Sequence, residues 1–286
     1  MESNVLEKII LQQGQNMIHN ALPRTLEPGY FFGPHCHENV ELCLMLEGEC
    51  DIIVNGQAVT VHAGEVMVIF SHIIHAFHMA SDRPSHFLQM HFCPRSFLSM
   101  KPAVRDSLRL VQYMTDEHSA YLIRPYSPQL AYCLERICDE WAGEEVHHTA
   151  LANTYVSEFI LLLSREIEQS YRDIFVIHNP LAIKAIQYIN SHLNRKISLA
   201  DVAKGCNVTP RYLSEVFKAH VNITVNSYIN IAKIDRATNY IGTDHLSVTE
   251  TASRLGFTST QYFAKVFKRY TGVSPSEFNW AQSPSV

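Results

Sequence analysis

The chain has 286 residues, of which 47% are apolar, and this length is enough for two domains with buried cores. Its net charge of −5 is unevenly divided, since residues 1–180 carry 11 Lys and Arg against 22 Asp and Glu, whereas residues 181–286 carry 12 against 6. The N-terminal residues lack the pattern of a secretion signal and no run of 18 apolar residues occurs, so we expect neither secretion nor a membrane span. A basic last third in an acidic chain indicates that one domain approaches a polyanion.

Cysteine usage points to a reducing compartment. The seven cysteines are an odd number and contain no C-x-x-C pair, which argues against a disulfide framework. We therefore expect a cytoplasmic protein with reduced thiols that act as small core residues. They are Cys36, Cys43, Cys50, Cys93, Cys133, Cys138 and Cys206.

Short apolar or β-branched runs extend from about Arg24 to Phe92, with turn residues between them. The runs are ELCLML, CDIIVNG, QAVTVHAG and EVMVIF. They predict an antiparallel β-rich domain that is closed as a barrel or a sandwich. Asn55-Gly56 predicts a hairpin with a type I′ turn, because both central residues of that turn need a positive φ.

After Pro94 the apolar residues recur three and four apart. This spacing predicts amphipathic helices in PQLAYCLERICDEWAGEE and HTALANTYVSEFILLLSREIEQSYRD. Two uses of this helix pair stay open: it closes one end of the barrel, or it packs against its copy in a second subunit. Residues 173–180 contain a Pro and little periodicity, and we interpret them as a linker.

Residues 181–280 are helical in pattern and contain an internal repeat. The stretch LADVAKGCNVTPRYLSEVFKAH resembles the later stretch VTETASRLGFTSTQYFAKVFKRY. Each copy has a small residue where two helices must approach, then a turn, then a capping residue for a longer helix, which together predict a helix-turn-helix unit. The small residues are Ala203 and Ala252, and the caps are Thr209 and either Thr258 or Ser259.

The longer helix of each copy has an inward and an outward face. The inward stripes are Leu213, Val216 and Phe217, and Phe263, Val266 and Phe267. The outward residues are Arg211, Ser214, Glu215 and Lys218, and Thr260, Gln261, Ala264, Lys265 and Lys268. Side chains of these types can read base edges in a major groove. The alternative is that they form an ordinary solvated helix face, which would be the favoured interpretation if only one copy were present. Two copies in the basic third favour DNA, with Lys268 and Arg269 assigned to phosphates.

The last hundred residues resemble the AraC/XylS family of bacterial transcription regulators. The resemblance rests on SLADVAKGCNVTPRYLSEVFK, SYINIAKIDRATNYI and FTSTQYFAKVFKRYTGVSPSEF. It implies that two recognition helices enter successive major-groove faces of double-stranded DNA, spaced by the helix between Ser227 and Gly242. It further implies that the outward residues given above, with the exception of Lys268, face the bases. It also implies an effector-controlled regulator, more often an activator, that works with RNA polymerase. Lys233 stands where the family usually has Arg, and keeps the charge without the bidentate fork.

Histidines near the start of the β-rich domain resemble the cupin pattern. The pattern consists of Gly29, His35-Cys36-His37, Glu41, Gly48, Gly64 and His75. In cupins two His, one Glu and a later His converge on a metal ion inside a small barrel, and N/O ligands of this kind suit a divalent transition metal. Phe70 and His72 depart from the pattern, since cupins usually have Pro and Gly there.

Two interpretations of this cluster stay open. Either His35, His37, Glu41 and His75 bind a divalent metal, or they form a polar cluster that contacts an effector. The remaining histidines show no ligand spacing, and we expect them at the surface or in packing roles. They include His72, His78, His86, His91 and the His147-His148 pair.

We therefore expect an α+β chain of two domains. A cupin-like effector-sensing barrel covers 1–100, a helical segment available for dimerisation covers 101–175, and an all-α domain with two helix-turn-helix units covers 176–286. The leading hypothesis is a homodimeric, non-enzymatic regulator without a required cofactor, whose small-molecule effector binds near the cluster, Tyr30 and Phe32; the family resemblance suggests a sugar. The alternatives are a metal-dependent cupin enzyme with an appended DNA-binding domain, and a constitutive or architectural DNA-binding protein.

Overall fold

The computed structural model describes residues 17–93, 119–169, 174–176, 179–242 and 244–278, which form ten strands and eight helices. The strands are β1 (Ile18–Leu26), β2 (Phe31–His35), β3 (Val40–Glu47), β4 (Glu49–Val54), β5 (Gln57–His62), β6 (Glu65–Ile69), β7 (His75–His78), β8 (Ser85–Phe92), β9 (Ser119–Pro125) and β10 (Ile174–Val176). The helices are α1 (Pro128–Ala142), α2 (His148–Gln169), α3 (Pro180–Asn190), α4 (Leu199–Cys206), α5 (Pro210–Val221), α6 (Val225–Gly242), α7 (Val248–Arg254) and α8 (Thr260–Thr271).

The strands form two antiparallel sheets, which confirms the predicted β-rich N-terminal domain. The six-stranded sheet has the order β1-β8-β3-β6-β9-β10, and the four-stranded sheet has the order β2-β7-β4-β5. The β4–β5 hairpin turns at Asn55 and Gly56, whose φ angles are 49° and 78°. Both are positive, as the type I′ turn requires.

Two strands lie outside the region that was predicted to form strands, and β1 begins at Ile18, before that region starts. β9 lies just before the first predicted helix and pairs with β6, and β10 lies in the segment that was interpreted as a linker and pairs with β9. Both α1 and α2 follow the prediction and pack on β1 at the edge of the larger sheet. The predicted ranges 1–100 and 101–175 include residues 1–16 and 94–118, which lie outside the described part.

The C-terminal domain contains only helices. Both copies of the sequence repeat fold as two helices joined by a turn: α4 and α5 form the first unit, and α7 and α8 form the second. The long α6 connects them, and α3 packs against α4 and α5. Within the described ranges, no helix combines the length and apolar character that a bilayer crossing requires.

The hydrophobic core is continuous across the domain boundary. One cluster runs from the barrel through α1 and α2 into the first unit and the N-terminal half of α6. A second cluster lies under the second unit and includes Ile234, Ala252, Phe263 and Phe267. All seven cysteines are free thiols, and six of them are buried, as expected for small core residues.

Polar contacts join the barrel to the C-terminal domain. The Tyr228 hydroxyl of α6 donates a hydrogen bond to the carbonyl oxygen of His72 at 3.0 Å. The Asn222 amide at the end of α5 donates to the carbonyl of Asn55 in the β4–β5 turn, and Arg236 of α6 pairs with Glu38. The barrel therefore contacts both the first helix-turn-helix unit and the connecting helix.

Candidate DNA-binding surface and barrel site

The first helix-turn-helix unit is fixed by local capping. Ser198 and Asp201 form a capping box at the start of α4, and Asn207 ends that helix with a φ of 60°. The Thr209 side chain accepts a hydrogen bond from the backbone of Tyr212, and Pro210 occupies the first turn of α5, where its missing N–H costs nothing. These contacts confirm the predicted cap and turn.

The second unit repeats this arrangement with different residues. Ser247 and Glu250 form the capping box of α7, and Gly256 has a φ of 63° in the turn. Of the two predicted caps, it is Ser259 and not Thr258 whose side chain accepts a hydrogen bond from the backbone of Tyr262. The repeat in the sequence is therefore a repeat in backbone geometry.

Five of the six residues predicted to face inwards are buried, and the sixth, Val216, is half-buried. Leu213 and Phe217 of α5, and Phe263 and Phe267 of α8, are fully buried, and Val266 is 6% exposed. Because this stripe holds each longer helix on the shorter one, it also fixes which residues face outwards.

The outward residues form two solvent-facing surfaces, which we call the recognition faces. The charged and amide side chains are exposed, and the smaller Ser214, Thr260 and Ala264 are half-buried. The exposed ones are Arg211, Glu215 and Lys218 on α5, and Gln261, Lys265, Lys268 and Arg269 on α8. Tyr212 and Tyr262 lie at equivalent positions and are also exposed. The recurrence of a tyrosine beside the outward residues of both copies was the sequence signal that could have identified them.

Lys233 of α6 lies between the two units and is 4% exposed. Its ammonium donates to the carbonyl oxygen of Arg195, just before α4, at 2.9 Å, and to that of Leu255, at the end of α7, at 2.5 Å. Burial lowers the pKa of Lys233 to about 8. A single cation thus joins the backbones of both units, which the sequence analysis noted only as a departure from Arg.

Inside the barrel, Glu41 is fully buried and one of its oxygens is surrounded by three imidazoles. Its Oε2 lies 3.1 Å from His37 Nε2, 2.8 Å from His75 Nε2 and 3.3 Å from His91 Nε2. Burial alone would raise the pKa of Glu41, but His91 and His75, with hydrogen bonds from His37 and His75, hold it well below its usual range. Burial lowers the pKa of His91.

The structure brings together the four residues of the sequence pattern and adds a fifth. One ligand atom from each of His35, His37, Glu41 and His75 lies within 4.8 Å of the others. His91 was expected at the surface or in a packing role, yet it is buried against Glu41 because the pairing of β3 with β8 places these two residues opposite each other. The donor set of imidazole nitrogens and one carboxylate fits a divalent transition metal.

A small cavity lies where the barrel meets the C-terminal domain. Its volume is ≈ 30 Å³, space for about two water molecules. Phe32, Pro34, His35, Cys36 and His37 line it from the barrel, and Ile231, Ile234, Asp235, Thr238, Tyr270 and Thr271 line it from α6 and α8. Burial raises the pKa of Asp235 to about 7, which His37 opposes. Of the predicted effector contacts, Phe32, His35 and His37 line this cavity, Glu41 and His75 lie deeper, and Tyr30 packs on the core apart from it.

Comparison with known proteins matches each domain separately. Residues 202–280 match the model of a helix-turn-helix domain, and residues 24–91 match that of a cupin domain. The arabinose operon regulatory protein of Salmonella typhimurium is 25% identical over 245 residues, covering 83% of this chain and 82% of that protein. An HTH-type transcriptional regulator from the cgkA 5′ region of Pseudoalteromonas carrageenovora is 34% identical over 115 residues, covering 40% of this chain and 68% of that protein.

A solved structure shares the two-domain fold. ToxT from Vibrio cholerae, crystallised with an unsaturated fatty acid bound, superposes with a TM-score of 0.59 over 92% of this chain and 95% of that one, at 17% identity. A cupin-like barrel joined to two helix-turn-helix units defines a class of DNA-binding transcription regulators. Within that class, the chain belongs to the AraC/XylS family.

Proposed function

We propose that this regulator reads a bipartite DNA site with its two recognition faces. We also propose that a small-molecule effector binds at the cavity between barrel and C-terminal domain and changes the affinity for that DNA site. The observation that carries the effector half is the cavity itself, because both domains line it. A ligand that binds there must contact the element that connects the two DNA-reading units.

The recognition faces support the DNA half of the proposal. The connecting helix α6 has 18 residues, so it is about 27 Å long and can space two helices for successive major-groove faces, about 34 Å apart. Arg211 and Gln261 are the proposed base readers of the two units, since Arg pairs with guanine and Gln with adenine. Ser214, Glu215, Lys218, Thr260, Ala264 and Lys265 are proposed to face the same grooves. Lys268 and Arg269 are proposed to contact phosphates.

The size of the cavity determines how an effector would act. A sugar does not fit into space for two waters, so binding requires that the C-terminal domain moves away from the barrel mouth. Effector binding and this docked arrangement are then linked equilibria, and the ligand changes DNA binding by its preference for the open arrangement. The Glu38–Arg236 pair and the hydrogen bonds of Tyr228 and Asn222 to the barrel are contacts that must break.

The curated relatives suggest the class of effector and the setting. The arabinose operon regulatory protein named above and a xylose operon regulatory protein of Escherichia coli suggest a sugar, and the fatty acid bound to ToxT suggests a fatty acid as the competing class. We propose a sugar, activation through RNA polymerase, a homodimer and a cytoplasmic location. A metal-dependent enzyme is the second candidate, favoured only by the histidine cluster around Glu41.

The test measures the affinity of the full chain for its selected DNA duplex with arabinose, xylose or oleate at millimolar concentration. The proposal expects one compound to change the affinity, and expects Ile231→Phe, which fills the cavity, to abolish that change while DNA is still bound. Ile229→Phe is the matched control, because Ile229 is a buried α6 residue that does not line the cavity. A DNA affinity that none of the three compounds alters would overturn the effector half.

A further inference from the structure

The two helix-turn-helix units have separate hydrophobic cores, and the division between these cores falls at one point of α6. Ile231 and Ala232 belong to the cluster that contains the first unit, whereas Ile234 belongs to the cluster under the second. Among the described residues, the half-buried Tyr270 is the one side chain that borders both clusters. Apolar packing alone therefore fixes the placement of one unit against the other only weakly, and Lys233 lies at the division.

The hydrogen bonds of Lys233 span this division. Its ammonium donates to the carbonyl oxygen of Arg195, just before the first unit, at 2.9 Å, and to that of Leu255, in the second unit, at 2.5 Å. It also lies 5.3 Å from the centre of the Phe257 ring in the second unit. Burying an ammonium costs free energy unless hydrogen bonds compensate for the lost water. Because a shift of about 1 Å would lengthen either bond past the range of a good hydrogen bond, both segments must keep their positions to satisfy the cation.

The backbones of the two units also approach each other directly. A Cβ at Gly256, in the turn between α7 and α8, would lie 2.2 Å from the backbone nitrogen of Lys196 and 2.3 Å from the carbonyl carbon of Arg195. A side chain can change rotamer when its neighbour moves, but backbone atoms have no such freedom. The hydrogen bonds and this close approach act on the same two segments. We call them together the inter-unit junction, which consists of Arg195, Lys196, Lys233, Leu255 and Gly256.

A rigid inter-unit junction limits which DNA the two units can read together. Moving one half-site by a single base pair shifts it by about 3.4 Å along the duplex and turns it by about 34° around the axis. The second recognition helix can follow this change only if its unit moves by a comparable distance against the first unit. Such a movement is larger than the Lys233 hydrogen bonds tolerate, so a chain with an intact junction loses base contacts at the displaced half-site.

We propose that Lys233 is a positioning residue that sets the accepted spacing between the two DNA half-sites, because it holds the second unit at one distance and rotation from the first. The inference rests on the proposed reading of a bipartite DNA site. It adds a residue that is 4% exposed, and so contacts no DNA, yet determines which half-site spacing is accepted. Arg keeps the charge and can donate to two carbonyls, which makes Lys233→Arg the conservative variant.

The first experiment measures the affinity of the full chain for duplexes in which the selected half-sites keep their spacing or stand one base pair closer or farther apart. The unchanged chain should bind the shifted duplexes about 10-fold or more weakly, since at least one base contact is lost. Lys233→Met should bring the ratio of the affinities close to one while the base preferences within each half-site persist, and Lys233→Arg should keep the ratio of the unchanged chain. Lys204→Met, which removes an exposed charge from α4, should also leave the ratio unchanged.

The second experiment follows the inter-unit junction without DNA. Spin labels at Ala200→Cys on α4 and Ser253→Cys on α7, both at exposed positions, report the distance between the units by pulsed electron paramagnetic resonance. Cys93 is replaced by Ser to prevent extra labelling, since the other six native thiols are buried. The labelled parent chain and its Lys233→Arg variant should give one narrow distance distribution, and its Lys233→Met variant should give a broader one.

Two results would overturn the proposal. The first is a folded Lys233→Met chain that discriminates against shifted half-sites as strongly as the unchanged chain, and the second is a Lys233→Met distance distribution as narrow as that of the parent. Circular dichroism and urea unfolding midpoints show which variants are folded; if Lys233→Met is not, Lys233→Gln, which keeps an amide donor, takes its place with the same expected direction. If the chain selects no bipartite duplex, the proposed DNA reading fails, while the spin labels still decide whether Lys233 holds the units together.

Discussion

The two helix-turn-helix units share one backbone plan and differ in what supports them. Both begin with a capping box and both have a left-handed residue at the turn, at Asn207 in the first unit and at Gly256 in the second. The first unit shares its core with the barrel, whereas the second has a core of its own. A change in the barrel therefore reaches the first unit through this shared core, and reaches the second unit through α6 and through the contact of α8 with β2.

The recognition faces differ in charge as well. The first carries an Arg211–Glu215 ion pair at 3.1 Å, whose members are 91% and 63% exposed, so the pair is worth well under about 1 kcal/mol and Arg211 is free to leave it for DNA. The second carries Lys265, Lys268 and Arg269 without an acidic neighbour on the helix. If both faces bind DNA as proposed, we expect the first unit to contribute more to selectivity and the second more to phosphate attraction.

The largest expected effect concerns Gly256, in the turn of the second unit, which lies close to the backbone just before the first unit. A Cβ at Gly256 would lie 2.2 Å from the backbone nitrogen of Lys196, and φ is positive, whereas a Cβ at Gly272 would meet nothing within 4 Å. Gly256→Ala should lower the free energy of unfolding by about 3 kcal/mol or more, from overlap and strain together. Gly272→Ala should cost about 1–2 kcal/mol, from strain alone. Urea unfolding measures both, and equal costs would contradict the close approach of the units.

The next effect concerns the cation between the units. Lys233→Met leaves the carbonyls of Arg195 and Leu255 without their buried donor, so the free energy of unfolding should fall by about 2–4 kcal/mol. Lys204→Met is the control, since Lys204 is exposed on α4. Chemical denaturation of both variants measures the difference. If Lys233→Met is no less stable than the control, the two units are not tied together by this residue.

A smaller effect concerns the base preference of the two recognition faces. Arg211→Ala and Gln261→Ala should each relax the preference at different base positions, by about 1–3 kcal/mol for each bidentate contact. Competition binding between the selected duplex and single-base variants measures this preference. Ala264→Ser serves as a mild control on the second face. A uniform loss on specific and random duplexes would exclude base reading by these two side chains.

The smallest effect concerns phosphate contacts of the second unit. Lys268→Ala or Arg269→Ala should weaken binding to all duplexes alike and reduce the slope of log affinity against log salt by about 0.9 for each lost contact. Lys184→Ala, on α3 and outside both recognition faces, should leave the slope as it is. An unchanged slope in the Lys268→Ala and Arg269→Ala chains would show that these residues do not contact phosphate.

Local signals explain most of what the sequence predicted. The Asn55-Gly56 turn, the caps at Thr209 and Ser259 and the buried stripe around Phe217 each depend on neighbours within a few positions, and the structure confirms them. The strand β9 was missed because its partners, β6 and β10, are about fifty residues away on either side, and no local pattern reports such pairing.

Prediction of the barrel site was limited in the same way, because one of its residues is placed by long-range strand pairing. The sequence pattern identified His35, His37, Glu41 and His75 by spacing, and these residues do meet. His91 has no ligand spacing to any of them, because the register of β3 against β8, and not distance along the chain, places it opposite Glu41. Lys233 was visible only as a substitution, since its two acceptors lie 38 and 22 residues away.

The central claim is that both units read DNA, and selection from a library of random duplexes at moderate salt tests it most directly. The full chain is compared with a chain that carries Arg211→Ala, Gln261→Ala and Lys265→Ala. The account predicts that the unchanged chain enriches two half-sites whose centres lie about 10 base pairs apart, and that the triple variant enriches neither. Enrichment of a single half-site, or of no sequence at all, would contradict it.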